Sequence, residues 1–203
     1  MAVITFPETL GLARTSWAQQ RNDMAFRSSF GAQAVELSSP LWAVTLQAPP
    51  DLEKRSGGWK ALGMQLRGQT NQLELWDLAR PTPAGTMRGS MTLSSSAAQG
   101  ATVLNIVASG ETGKTLLRGD YLGFGSGLTQ QVVMVIADAL SDGSGVITVT
   151  VEPFLRNTFY VGSAVTWDKP KALFRRVNSK FGWENYRARV EGFTLDLIED
   201  WRP

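Results

Sequence analysis

Residues 145–153 read Gly-Val-Ile-Thr-Val-Thr-Val-Glu-Pro, where Ile147, Val149 and Val151 alternate with Val146, Thr148 and Thr150, nearly all of them β-branched. A period of two with branched side chains specifies a strand that turns one face to a core. Upstream lies a second apolar run, Val132 to Asp138. Ser141-Asp142-Gly143-Ser144-Gly145 separates the two, and its glycines and short polar side chains suit the dihedrals of a reversing turn. The two runs therefore read as an antiparallel pair, and the chain around them as mainly β.

The same reading extends outward. Strands are expected at Leu41–Gln47, Asn71–Leu78, Ala101–Ser109, Asp120–Gly125 and Ala164–Asp168. A C-terminal strand follows, with Phe193, Leu195 and Leu197 on one face and Thr194 and Asp196 on the other. One helix is expected, from Asp51 as N-cap to about Arg67, because Leu52, Trp59, Leu62 and Leu66 recur near helical period. Gly57-Gly58 weakens its first turns by about 1 kcal/mol per glycine.

Two proline boundaries, Arg80 to Gly85 and Asp168 to Lys171, bracket a stretch poor in charge and rich in Gly, Ser and Thr. They divide the chain into an outer β-sandwich-like domain with one helix, residues 1–82 with 171–203, and an inserted small antiparallel barrel-like domain, residues 83–170. The competing reading is one continuous β-sandwich with a long central loop.

Composition narrows the chemistry. The 203 residues contain no Cys and no His, which removes thiolate nucleophiles, imidazole metal ligands and every His-dependent triad. Twenty basic residues against 18 acidic ones leave a net charge of +2, so nucleic acid is not an expected partner. No export signal and no apolar run near the ~20 residues needed to cross a bilayer is present, so neither export nor membrane insertion is expected.

The remaining chemical motifs have plainer readings. Ala108 to Thr115 imitates a phosphate loop, but that chemistry needs a helix starting at Gly113-Lys114-Thr115, and Gly119, Gly123, Gly125 and Gly127 fill the segment where it would run. Arg118-Gly119-Asp120 spells an adhesion tripeptide but enters an expected strand, with Gly119 turning the chain. Asp138 and Asp142 lack the register of a calcium loop. Among Glu36, Asp77, Glu152, Asp168, Glu184 and Asp196, nothing in the sequence marks a catalytic pair. No catalytic residue, cofactor or metal is assigned.

Seven tryptophans remain. Trp42, Trp59 and Trp76 fall on expected core elements. Trp17, Trp183 and Trp201 lie in less regular terminal segments. With Arg21 and Phe26, they are the residues expected at an interface between subunits. The first forty residues, with Arg14, Trp17, Arg21, Phe26, Arg27 and Phe30 among small polar ones, read either as a loosely packed first strand with long loops or, the reading taken here, as an arm that orders against a neighbour.

The segments Leu41 to Pro50, Gly58 to Asp77 and Arg80 to Ser90 resemble the opening of distal tail proteins of long-tailed, siphophage-type bacteriophages. Leu116 to Phe124, Asp142 to Arg156 and Val161 to Arg176 resemble the inserted domain of that class. The resemblance implies a virion protein that assembles in the bacterial host cytoplasm into a homohexameric ring. That ring would join the tail tube protein to the tail hub or fibre proteins of the host-recognition apparatus. The alternative function is a tail module whose middle domain binds a carbohydrate on the host surface.

Overall fold

The fold is given by a computed structural model, which describes residues 1–52, 56–186, 189–190 and 192–201. Its strands in chain order are β1 (Val3–Thr5), β2 (Arg14–Ser28), β3 (Gly31–Gln47), β4 (Asp51–Leu52), β5 (Gln72–Leu75), β6 (Met91–Leu93), β7 (Val103–Ala108), β8 (Thr115–Leu116) and β9 (Tyr121–Phe124). After these come β10 (Gln131–Val135), β11 (Ala139–Leu140), β12 (Val146–Glu152), β13 (Ala164–Thr166), β14 (Ala172–Arg176), β15 (Asn185–Tyr186), β16 (Arg189–Val190) and β17 (Thr194–Glu199). The helix α1 (Gly57–Gln65) lies between β4 and β5. The protein is mainly β.

Six strands close into a barrel in the order β10-β12-β7-β6-β13-β9, every neighbouring pair antiparallel. On β12 the alternation quoted above is realised, with Ile147, Val149 and Val151 buried in the barrel beside Leu104, Ile106 and Phe124. The Ser141–Gly145 turn is built by Asp142, whose carboxylate accepts from the amides of Ser144 and Val146.

The remaining long strands form a six-stranded sheet in the order β1-β5-β14-β17-β3-β2. Its β1–β5 pair is parallel. Trp42, Val44 and Leu46 of β3 join Leu73, Phe174, Leu195 and Leu197 in its core, which Trp59, Leu62 and Leu66 from α1 and its end help to close. The helix starts later than the sequence suggests. It is entered from Ser56, and Asp51–Leu52 instead pair with β16. The extended backbone forced by Pro49-Pro50 and the helix-weakening Gly57-Gly58 account for the late start.

Sheet and barrel share a wall. On β9, Tyr121 faces the sheet core while Leu122 and Phe124 face the barrel interior. On β10, Val132 and Met134 pack on the sheet core while Val133 and Val135 face inward. Both faces of these strands are buried, so they read as continuous apolar runs without alternation.

Polar contacts fix the junction. The fully buried Asp120 accepts from the amides of Ala84 (2.7 Å), Gly85 (3.1 Å) and Leu117 (2.8 Å), clamping the entry segment to the start of β9. Its carboxylate is therefore engaged internally, and the adhesion tripeptide is not displayed. The indole of Trp42 donates to the carbonyl of Val132 at 2.9 Å, linking β3 to β10.

Candidate functional site

The feature that the core leaves unused is the far half of the β2–β3 hairpin. Strands of 15 and 17 residues pair from Arg14↔Gln47 to Ser28↔Gly31, but the other sheet strands accompany only the first part. Beyond about Gln20 and Leu41 the two strands continue as a bare ribbon, exposed on both faces from Arg21 to Ser38. At ~3.3 Å per residue, the segment from Asn22 to Ser28 extends roughly 20 Å.

Local sequence explains this shape. Ser29 and Phe30 form a two-residue turn, in which the Ser28 hydroxyl donates to the carbonyl of Gly31 (3.3 Å) and accepts from the amide of Phe30 (3.2 Å). One register shift falls between Gln20 and Asn22, opposite Ser39-Pro40, and a second between Asn22 and Asp23, opposite Leu37. Proline has no amide to give to the ladder, so the first bulge is the expected accommodation.

The ribbon is amphipathic. Met24 pairs with Val35 and Phe26 with Gln33 on one face, while Ala25 pairs with Ala34 and Arg27 with Ala32 on the other. Phe26 is 57% exposed and Phe30, at the tip, 99%. Met24, Val35 and Leu37 are exposed as well. An isolated two-stranded ribbon is marginal in water, and an apolar face held out in solvent gains ~1.5–3 kcal/mol per large side chain on being covered.

Arg21 anchors the ribbon's root. Its guanidinium reaches Glu36 across the hairpin at 3.6 Å and Glu152 on the barrel rim at 2.5 Å, and its Nε donates to Gln19 at 3.1 Å. Two of the candidate carboxylates therefore meet at one cation, an ion triad that sets the ribbon's direction against the barrel.

The residues singled out in sequence are distributed as follows. Arg21 and Phe26 lie on the ribbon. Trp17 sits below them on β2 and packs edge-on against Trp42 (6.0 Å) and Phe174 (5.5 Å), with Tyr121 at 6.1 Å. Trp183 lies near α1 with Lys60 over its ring at 5.1 Å. Trp201 follows β17, and the Arg156 guanidinium stands 5.5 Å from its ring centre. Phe30 was named only as part of the arm, and Met24, Val35 and Leu37 were missed. Their signal was present as apolar residues alternating on either side of Ser28-Ser29-Phe30-Gly31.

Other motifs offer less. Lys114 is followed by the short strand β8 and no helix, and its amide donates to the Ser141 hydroxyl at 2.8 Å. Asp138 accepts from the amide of Arg118 at 2.8 Å. Among the described residues no cluster of three or more acidic side chains could hold a metal ion. Burial, followed by the nearby Asp77 carboxylate, pushes the Tyr121 hydroxyl well above its ordinary pKa. Comparison with protein-family models and with curated proteins finds no match.

Proposed function

We propose that this protein is a structural subunit that works by binding copies of itself, as a distal-tail or baseplate ring component of a phage tail. The observation that supports this reading is the Arg21–Ser38 ribbon, an ordered hairpin with an apolar face and no partner within its own described chain. An apolar face of this kind fits assembly. The phage setting, the hexamer, and the tube and hub or fibre proteins as neighbours rest on the sequence resemblance described above.

The barrel gives weaker support to carbohydrate binding. Of its described aromatic side chains, Tyr121, Phe124 and Phe159 are buried, Phe154 is half-buried, Trp167 is half-buried and capped by Arg88 at 5.1 Å, and Tyr160 is exposed. A stacking groove needs two or three exposed rings together.

Light scattering on the purified chain tests the reading. The full chain should form a concentration-dependent oligomer, and replacing residues 22–37 by Asn-Gly should leave a folded monomer. A full-length chain that stays monomeric at every concentration would overturn it.

A further inference from the structure

Among the described residues, the six-stranded sheet has two open edges. One is β2, which continues into the ribbon, and the other is β1 at the opposite side. Beside β1 lies an open groove of about 650 Å³, lined by Met1, Ala2, Ile4, Met64, Gln65 and Arg67 together with Asn71. Met1 and Met64 are 66% and 63% exposed, so this groove presents apolar surface to solvent just as the ribbon does.

We propose that the apolar face of the ribbon, Met24, Phe26 and Val35, seats in the β1–α1 groove of a second copy of this chain. The proposal rests on the self-assembly reading and specifies its geometry. Three observations favour this occupant.

First, ribbon and groove occupy opposite edges of one sheet, so each copy can donate to one neighbour and accept from another. Such a head-to-tail contact generates rings when the rotation closes. Two ribbons packed on each other would stop at a dimer and leave both grooves open.

Second, the chemistry matches. Methionine side chains adapt to aromatic and branched surfaces, and the groove offers two of them to Phe26, Met24 and Val35.

Third, the edges are complementary in backbone terms. Among the described residues, the outer side of β1 and the outer side of β2 both lack a strand neighbour, and strand addition satisfies such edges.

The absence of cysteine makes the test direct. A chain carrying both Phe26→Cys and Met64→Cys is oxidised and run without reductant, beside each single variant, with light scattering on every sample. The proposal expects an oligomer, a ladder of covalent multimers from the double variant, and no ladder from either single variant. An oligomer in which the double variant does not cross-link, or in which Phe26→Cys alone does, overturns the groove assignment and leaves self-assembly standing. A monomer throughout overturns both. Independently, Met64→Glu should weaken association about tenfold or more while leaving thermal unfolding unchanged. An unchanged association constant also counts against the groove.

Discussion

Arg156, in the loop after β12, donates through Nη2 to the carboxylate of Glu199 on β17, and both side chains are buried. The second Glu199 oxygen accepts from the amide of Trp42 at 3.0 Å. One carboxylate thus joins barrel, β3 and β17. Burial pushes the Glu199 carboxyl up, and the Arg156 charge and hydrogen bond pull against it.

Removing one partner leaves a buried charge uncompensated. Glu199→Gln should destabilise the protein by about 3–5 kcal/mol, whereas the double variant Arg156→Met with Glu199→Leu should recover most of that loss. Chemical denaturation of the three variants measures both effects.

Asp120 should behave differently, because its hydrogen-bond partners are backbone amides and its one cation, Arg80, stands off at 3.9 Å. Asp120→Ala orphans the amides of Ala84, Gly85 and Leu117 and should cost roughly 3 kcal/mol. Hydrogen exchange should show those amides losing protection.

Glu74 sets an acid limb on stability. Burial raises its pKa, but hydrogen bonds from Lys171, Gln130 and Thr5 and the Lys171 charge outweigh this and hold it below 4.5. The folded state then binds the proton less tightly than the unfolded chain. Its contribution is present above that ordinary value and is lost as pH falls through the folded pKa. Glu74→Gln should flatten this limb in denaturation curves recorded across acidic pH.

Gly145 holds φ at +76°, and a Cβ there would collide with the carbonyl of Ala108. Gly145→Ala should cost about 2 kcal/mol or more, seen as a lowered denaturation midpoint.

Arg21→Ala should change unfolding stability by less than about 1 kcal/mol, because its ion pairs are largely solvated. If those pairs direct the ribbon, the same variant should weaken oligomer formation, read by light scattering.

Much of the barrel was legible in sequence because burial writes itself as a pattern. Ile147, Val149 and Val151 point one way by a rule of period two. The unbroken run Val132–Val135 fits a strand with little exposed surface. Asp142 and its glycines announce a turn. The ribbon was legible only as an unexplained mixture of aromatic and polar residues, because neither of its faces meets this chain's own core. The late start of α1 was obscured by apolar residues that keep helical spacing on both sides of Gly57-Gly58.

By itself, the sequence determined the β class, the Ser141–Gly145 turn, the lone helix and the absence of thiol and imidazole chemistry, since each follows from local residue type and spacing. Only the tertiary structure decided that Glu36 and Glu152 meet at Arg21, that Asp120 is buried, and that Met24, Phe26 and Val35 share an unpartnered face. Those facts depend on which distant segments are brought together, and hairpin register and sheet order set that at separations no local pattern encodes.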